Sequence, residues 1–379
     1  MAQETPAQPN HALRITGLDA LRGLAALAVV LFHYTVRYQD LYGYVNKPHL
    51  YVNVGLQPVY LFFIISGFVI LMTASKLREP SRFVYARFSR LYPAYWAAIL
   101  VTTLVVLTLH LPGRGTSFKR ILVNTSMFQE FLGVGHVDPV YWSLQVELCF
   151  YLLVAVLLWR KRLEALNLVL VALMIVGLLD HLLTWHLTNG VITRLREVLL
   201  LHYLHLFGAG IAIYQLMHGE RRKAILLLAA CAMYVIALMP PVEALIYVGL
   251  AIVVFLAVTN RIPFLGNPVL QFLGLISYPL YLIHQNVGYA LIRHLQNAKL
   301  NAELSMALAA LLAIGLAAGI TFAVERPVMK WLRQRRAPVT PELSVMRPMP
   351  ALKRRFARLW IARRPTSGSA TVAPAAADQ

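Results

Sequence analysis

Charge is scarce in this chain, and negative charge is scarcer still. Only 13% of its 379 residues are charged, and Asp and Glu together number 16, whereas 59% of the residues are hydrophobic. The apolar residues form blocks of membrane-spanning length instead of alternating with polar ones. This composition excludes a soluble globular domain and predicts an all-α fold, a polytopic membrane bundle of about ten transmembrane helices.

Cysteine is nearly absent as well. The two cysteines, Cys149 and Cys231, both fall inside apolar segments. Two cysteines cannot build a disulfide framework, and no spacing typical of metal ligands surrounds them. We therefore interpret both as small core residues and expect no bound metal.

Windows of about 20 residues, the length that crosses a bilayer as a helix, predict ten transmembrane segments. The seventh and eighth share a hairpin at Pro240 and Pro241 and are the hardest pair to separate. The ten segments lie near residues 17–36, 56–75, 92–111, 141–159, 165–183, 197–217, 224–239, 242–259, 268–292 and 303–324.

The shortage of acidic residues leaves a formal net charge of +19, which raises the question of an anionic partner. In membrane proteins, Lys and Arg collect on the cytoplasmic side. With a cytoplasmic N-terminus, most of the 35 Lys and Arg residues fall on that side of the predicted helices. Topology therefore explains the basicity. It predicts a multi-pass protein of the cell inner (plasma) membrane with both termini cytoplasmic, and it gives no support to a nucleic-acid partner.

The chain divides into one membrane domain and two flanking segments. Residues 1–12 are polar and contain proline, which is typical of disorder. Residues 13–333 carry all the predicted transmembrane helices and form the membrane domain. Residues 334–379 form a basic, Pro- and Ala-rich cytoplasmic tail, in which residues 350–364 have the apolar and basic faces of an amphipathic helix on an anionic membrane surface.

Two ionisable side chains lie in the first predicted transmembrane helix. Arg22 stands near its start and His33 eleven residues later. The two side chains therefore share nearly the same helical face, about 16 Å apart. An ionisable group this deep in lipid is costly and usually faces the interior of a bundle or an aqueous cavity. His33 is therefore a candidate for chemistry, and the alternative is a neutral imidazole hydrogen-bonded between helices.

A second polar cluster precedes Pro93 in the segment RFVYARFSRLYPAYW. Arg87 and Arg90 are three residues apart and are neighbours on one helical face. Guanidinium groups suit bidentate phosphate binding, so the pair is a candidate phosphate site. The alternative is ordinary positive-inside charge, with the side chains extending to the membrane surface at a helix end.

Glu147 belongs to the segment DPVYWSLQVELCFY, which begins the fourth predicted helix. Tyr141 and Trp142 suit the membrane interface, which puts Glu147 about 9 Å inside. His33 enters from the opposite face of a core about 30 Å thick and reaches a comparable depth. We therefore expect Glu147 and His33 to meet. The alternative is a salt bridge between Glu147 and a buried arginine.

The ninth predicted helix contains LGLISYPLYLIHQ, in which Ser277, Tyr281 and His284 follow an i, i+4, i+7 pattern. This spacing puts the three side chains on one helical face. Tyr281 and His284 are therefore candidates for binding a polar substrate. Aromatic and imidazole side chains also anchor helices at the membrane interface, and that alternative stays open.

Six motifs occur in order between residues 15 and 330: ITGLDALRGLAALAVVLFHY, FFIISGF, RFSRLYPAYW, YWSLQVE, GLISYPLYLIH and VERP. The first contains an Arg-x10-His spacing and the third an Arg-x-x-Arg spacing. With these motifs in this order, the sequence resembles the acyltransferase 3 family of integral membrane acyltransferases. The resemblance covers nearly all of the predicted membrane domain.

The resemblance implies a bundle of ten helices that moves an acyl group, usually acetyl, from cytoplasmic acyl-CoA to a hydroxyl group of an extracytoplasmic glycan. It implies no permanently bound cofactor, because acyl-CoA is the donor substrate. The implied partners are acyl-CoA, a glycan such as O-antigen or exopolysaccharide or a lipid-linked sugar, and the lipid bilayer. The family's functional positions fall on Arg22, His33, Arg87, Arg90, Glu147 and Glu325.

These residues suggest a mechanism. Arg87 and Arg90 would hold the CoA phosphates, with Arg22 near the entrance. His33 would act as general base toward the acceptor hydroxyl, or would carry the acyl group as a transient acyl-histidine. Glu147 would orient His33 or stabilise its imidazolium. The competing hypothesis is a proton-coupled transporter or flippase of a polysaccharide pathway, with His33 and Glu147 as a proton relay, although a proton path needs no phosphate ligand.

Overall fold

The structure is a computed structural model that describes residues 15–184 and 190–334. All regular secondary structure within these residues is helical, which confirms the predicted all-α class. The described residues up to Leu332 belong to one compact unit, which contains all the candidate site residues.

The predictions for the two flanking segments fall outside the described residues. This applies to the disordered N-terminus at residues 1–12 and to the amphipathic helix near residues 350–364. Of the basic tail at residues 334–379, only Gln334 is described. All three stay predictions.

The described part of the chain contains fourteen α-helices, numbered here in chain order. Their bounds are α1 Thr16–Phe32, α2 Tyr38–Tyr42, α3 Gln57–Leu77, α4 Pro80–Leu109, α5 Phe118–Asn124, α6 Trp142–Trp159, α7 Leu166–Thr184, α8 Gly190–Val198, α9 Leu204–Met217, α10 Arg221–Leu238, α11 Pro241–Val258, α12 Pro268–Asn297, α13 Ala302–Ile320 and α14 Arg326–Gln334. Two π-helical turns, His33–Arg37 and Thr321–Glu325, join α1 to α2 and α13 to α14.

Seven helical segments in the described residues are long and apolar enough to cross a membrane, so the protein is a multi-pass membrane protein. They are Thr16–Tyr42, Gln57–Leu77, Pro80–Leu109, Pro139–Trp159, Leu163–Leu183, Pro241–Val258 and Ala302–Leu332. Helices also occupy the three remaining predicted positions, but these helices do not meet the same standard of length, hydropathy and low charge. The predicted number of ten spans is therefore not confirmed.

The three helices outside this group differ from the prediction for separate reasons. Helix α9 has only 14 residues, because its predicted first turns form the irregular segment before Leu204. Helix α10 has 18 residues but begins with three consecutive basic residues, so it carries more charge than the most apolar windows of the seven spans do. Helix α12 has 30 residues, and many of them are polar. Polar residues that face the interior of a bundle reduce the average hydropathy of their helix, although lipid does not contact them.

The core of the bundle consists of α1, α3, α4, α6, α9 and α12. In α12, every residue from Ile276 to Ala290 is buried. By contrast, less than a third of the most apolar windows of the segments containing α7, α11 and α13 is buried, and large side chains such as Leu168, Leu245 and Leu311 are exposed. These helices present apolar side chains outward, as lipid-facing helices do. The polar face of α12 is therefore enclosed by protein.

Helices α1 and α12 lie unusually close together because small residues meet at their contact. A methyl group on Gly23 would overlap the backbone of α12 at Leu273 and Gly274, and one on Gly274 would overlap the backbone of α1 at Asp19. Further along, the ring of His33 contacts that of His284. The two helices therefore run parallel, and α1 presents its polar face to the polar face of α12.

Candidate functional site

Apart from Tyr281, the predicted site residues fall into two groups, one of which also contains Tyr289, a residue that the sequence pattern did not single out. The histidine cluster consists of His33, His284 and Tyr289. The arginine cluster consists of Arg22, Arg87, Arg90, Glu147 and Glu325. Since Arg22 and His33 are eleven residues apart in sequence, a helical rise separates the two groups by about 16 Å.

His33 is partly buried and is held by Tyr289. Its Nδ1 atom lies 2.8 Å from the hydroxyl oxygen of Tyr289, within hydrogen-bonding distance. When Nδ1–H donates this bond, Nε2 carries the lone pair that a general base needs. His33 also begins a π-helical turn, a local widening that often occurs at functional sites. His33 Nε2 makes no hydrogen bond with any described residue.

His284 is fully buried beside His33, with 4.9 Å between the two ring centroids. Its Nδ1 atom is 2.8 Å from the backbone oxygen of Tyr281, so Nδ1–H donates this bond. Its Nε2 atom is buried and has no partner among the described residues. A buried acceptor without a donor is costly, so this atom is available to a substrate group or to water.

Glu147 does not contact His33, so the expectation that they meet is wrong. Glu147 Oε1 instead accepts hydrogen bonds from the hydroxyl groups of Ser66 at 2.7 Å and Tyr151 at 2.6 Å. The helical rise gives Glu147 and His33 a similar depth in the membrane. However, the helix that contacts His33 is α12, which supplies Tyr289. The alternative of a salt bridge to a buried arginine is also not observed within the described residues.

Arg22 lies on the same helical face as His33, and its guanidinium makes no hydrogen bond or ion pair with a described residue. Its Nε atom is buried without a partner. Its charge lies within electrostatic reach of Glu147 and Arg90. A buried guanidinium with unused donors is a strong candidate for binding an anionic or carbonyl oxygen.

Arg87 is held in place mainly by uncharged groups. Its guanidinium donates a hydrogen bond to the hydroxyl of Thr73 and lies 5.6 Å and 5.5 Å from the ring centroids of Phe83 and Tyr151. Its Nε atom is buried without a partner. Cation–π contacts orient the group but leave its positive charge without a counter-ion.

Arg90 differs from Arg87 because it forms an ion pair with Glu325. Glu325 ends the second π-helical turn and is only 2% exposed. The Arg90 guanidinium also lies 5.9 Å from the ring centroid of Tyr278. The Arg-x-x-Arg pair therefore contains one guanidinium without a counter-ion, that of Arg87, and one that a buried carboxylate neutralises, that of Arg90. The spacing did not predict this difference.

Tyr281 does not present its hydroxyl to a substrate, contrary to the expectation from its helical face. This hydroxyl is 2.7 Å from that of Ser143 and donates to the backbone oxygen of Val140 at 3.1 Å. Both of its ordinary hydrogen-bonding roles are thus used between α12 and the start of α6. Tyr281 joins these helices, whereas His284 keeps an unused atom.

Next to the histidine cluster, Asp138 connects the start of α6 to α12. It is fully buried, and its carboxylate accepts the backbone N–H groups of Val140 at 3.3 Å and Asn286 at 3.1 Å. Burial raises the pKa of Asp138 to about 6, and the two N–H groups oppose that rise. The described residues contain no group of three or more His, Cys, Asp or Glu that could hold a metal ion.

Sequence reasoning missed Tyr289, Ser66 and Tyr151, which hold the two central side chains. Tyr289 lies only five residues after His284, in a stretch that also contains Gln285 and Asn286. Such a run of polar residues inside a transmembrane helix was the available signal. Ser66 and Tyr151 carried no such signal, because hydroxyl side chains are common in transmembrane helices.

A family model described as "Acyltransferase domain", the acyltransferase 3 model, matches residues 15–326. A curated protein from Streptomyces mycarofaciens, Acyltransferase MdmB, is 28% identical over 152 residues, which cover 38% of this chain and 39% of that protein. The matched part is thus well under half of the relative's length. No solved structure matches.

Proposed function

The chain belongs to the acyltransferase 3 family, and on this premise we propose that it transfers an acyl group, acetyl in the simplest case, from cytoplasmic acyl-CoA to a hydroxyl group of an extracytoplasmic glycan. Its family and its apolar helices support a membrane acyltransferase. The single observation that carries the finer proposal is an imidazole with an unused Nε2, positioned by Tyr289 on the same helical face as an unpaired guanidinium.

The donor side of the proposed reaction is the arginine cluster. Arg22 and Arg87 have no acidic partner among the described residues, so they are the better ligands for the CoA phosphates. Arg90 can take part only in competition with Glu325. With the phosphates bound there, the flexible arm of CoA would follow α1 and bring the thioester to His33. CoA leaves after the reaction, so no permanently bound cofactor is needed.

The acceptor side is the histidine cluster. His33 Nε2 removes the proton of the acceptor hydroxyl as its oxygen attacks the thioester carbon. The C–S bond then breaks, and the CoA sulfur receives the proton from the imidazolium. Tyr289 keeps the His33 ring in the required orientation, and His284 Nε2 can accept a hydrogen bond from a second acceptor hydroxyl.

Glu147 takes a different role from the one expected from its depth. Because it bonds Ser66 and Tyr151 and lies within reach of Arg22, we assign it to the donor side. There its negative charge limits the cost of burying Arg22. We place the protein in the cell inner membrane with both termini cytoplasmic, because this orientation puts most Lys and Arg on the cytoplasmic side. An acyltransferase uses the Arg-x-x-Arg pair, which a transporter or flippase would leave unexplained.

The test replaces His33 by Ala in the native host and measures ester-linked acyl groups on surface and periplasmic glycans by mass spectrometry. We expect the ester signal to be lost while the folded protein stays in the membrane. His110→Ala is the matched control, since His110 is an exposed imidazole at the end of α4. Full glycan acylation in the His33→Ala strain would refute the proposal.

The donor assignment has its own test with purified protein. Arg87→Ala should weaken the binding of acetyl-CoA, whereas Arg82→Ala should leave it unchanged, because Arg82 is an exposed arginine of the same helix that pairs with Glu79 at 2.5 Å. Loss of one charge-assisted contact to phosphate weakens binding about tenfold or more. Mass measurement after incubation with acetyl-CoA alone would detect a transient acyl-histidine if transfer is not direct.

A further inference from the structure

Three further arginines, here called the mouth arginines, stand beside the histidine cluster: Arg37, Arg114 and Arg293. Arg37 ends the π-helical turn that His33 begins, four residues further along. The charges of Arg37 and Arg114 both act on His33 and on Tyr289. Arg293 lies one turn beyond Tyr289 on α12. No part of the acyl transfer described above uses these three guanidinium groups.

Tyr42 connects the three segments that carry the mouth arginines. The guanidinium of Arg293 lies 5.8 Å from the ring centroid of Tyr42. The Tyr42 hydroxyl donates a hydrogen bond to the backbone oxygen of Pro112 at 3.1 Å, which fixes the loop that contains Arg114. The ring of Tyr42 also lies 5.8 Å from that of Tyr289. The mouth arginines are therefore gathered around Tyr42 and Tyr289, and Tyr289 is the residue that holds His33.

The positive charge of this group is poorly compensated. The guanidinium groups of Arg114 and Arg293 form no hydrogen bond or ion pair with a described residue, and both residues are only partly exposed. Arg37 pairs with Asp40 at 3.5 Å, and both side chains are about half exposed, so this pair contributes little. The other nearby acid, Asp138, lies within reach of Arg114 but already accepts two backbone N–H groups.

The positive-inside rule does not account for this charge. In the orientation proposed above, the end of α1 that follows His33 is extracytoplasmic, the side that holds the minority of the 35 Lys and Arg residues. Three guanidinium groups at one point of that side therefore need another reason. Guanidinium groups bind carboxylate and phosphate oxygens through two parallel hydrogen bonds, which makes an anionic ligand the simplest one.

We propose that the mouth arginines bind an anionic group of the acceptor, a sugar carboxylate or a sugar phosphate, and thereby bring a neighbouring hydroxyl to Nε2 of His33. The inference rests on the proposed function and narrows its acceptor to acidic sugars. Binding of the anion by these arginines also explains how an extracytoplasmic acceptor is held near His33, because the anion lies where α1 and α12 end.

Binding by purified protein without acyl-CoA tests the proposal independently of catalysis. The probes are glucose, glucuronic acid and glucose 6-phosphate, and the readout is the thermal stabilisation that each gives at equal concentration. We expect at least one acidic sugar to bind about tenfold more tightly than glucose, and Arg114→Ala and Arg293→Ala to remove that difference. Lys119→Ala, which removes an exposed basic side chain near the same loop, should keep it.

The results separate the two acidic ligands and the competing explanation. Preference for glucuronic acid indicates a carboxylate, and preference for glucose 6-phosphate indicates a phosphate. Equal binding of all three sugars overturns the proposal. The proposal is also overturned if the Arg114→Ala and Arg293→Ala substitutions change the thermal stability only in nanodiscs of phosphatidylglycerol, because the arginines would then bind lipid headgroups.

A second arm measures glycan acylation in cells. Arg114→Ala and Arg293→Ala should lower the ester content about tenfold, while acetyl-CoA binding by the purified variants stays unchanged. Unchanged ester content would overturn the inference. Failure of the proposed function would look different, because the His33→Ala strain would then keep its esters whatever the mouth arginines bind.

Discussion

The Nδ1 atom of His33 lies 2.8 Å from the hydroxyl oxygen of Tyr289 across the contact between α1 and α12. This relationship joins the histidine predicted from the first helix to a tyrosine that the sequence pattern did not single out. It also decides which nitrogen of the imidazole is left for a substrate. Tyr289 is thus a positioning residue. Its removal should lower the rate of acyl transfer without changing the affinity for the acyl donor.

Tyr289→Phe removes the hydroxyl but keeps the ring. We expect the rate of acyl transfer to fall about tenfold, the value of one lost hydrogen bond to the reacting imidazole, with an altered pH–rate profile and unchanged affinity for acetyl-CoA. Tyr234→Phe is the control, because the hydroxyl of Tyr234 is also hydrogen-bonded between segments, here to the backbone oxygen of Leu201, but Tyr234 makes no contact with the histidine cluster. A weaker affinity for acetyl-CoA with a normal rate would contradict this role.

Arg90 and Glu325 should act together in stability. Arg90→Ala leaves the carboxylate of Glu325 buried without its ion-pair partner, which costs about 3 kcal/mol or more. The double variant Arg90→Leu with Glu325→Leu should recover most of that loss, since an apolar pair can replace a buried ion pair. Thermal unfolding in detergent measures both. A stable Arg90→Ala protein would show that Arg90 serves mainly to bind donor.

Gly23 should be far more sensitive to substitution than Gly315. Gly23→Ala forces α1 away from the backbone of α12, and overpacking of this kind costs about 1–3 kcal/mol. Gly315→Ala meets no atom within 4 Å and should not lower stability. Thermal unfolding and acyl-transfer activity of the two variants can be compared directly. Similar melting temperatures would mean that the helix contact tolerates a methyl group.

Asp138 should make stability depend on pH. Its pKa of about 6 lies above the ordinary value for an aspartate, so the folded protein binds the proton more tightly than the unfolded chain does. Its contribution is therefore present below about pH 4 and is lost as the pH rises through about 6, a change on the order of 3 kcal/mol. Asp138→Asn should flatten the dependence of melting temperature on pH over this range.

Asp40→Asn is the control for that measurement, because it removes an exposed carboxylate near the same end of the bundle. The Asp138 prediction fails if melting temperature changes equally with pH in the Asp138→Asn protein and its parent. It also fails if stability increases as the pH rises from 4 to 7, which is the opposite sign.

Local sequence patterns were sufficient for the helices and for the faces of single helices. Hydropathy located helices at all ten predicted positions, and the spacing of Arg22 and His33 correctly put them on the face of α1 that packs inside the bundle. Both inferences depend only on the geometry of one helix. The family resemblance, confirmed over residues 15–326, supplied the class of reaction.

The sequence pattern of single helices could not predict which helices are adjacent in the bundle. Glu147 has the right depth for His33, but depth along the membrane normal does not tell which helices are adjacent. The contact of α1 with α12 is set by Gly23 and Gly274, which are far apart in sequence. The π-helical turn at His33 also changes the direction of the side chains that follow it, and a regular helix pattern does not include it.

The spacing between glycine and histidine is the same in the two central helices: ten residues from Gly23 to His33 and ten from Gly274 to His284. One inserted residue would rotate everything beyond it by about 100°. A single-residue insertion or deletion in either stretch would therefore turn one imidazole away from the other. Only a compensating change of the same length in the partner helix would restore the match, so these two stretches must keep a common length as the protein evolves.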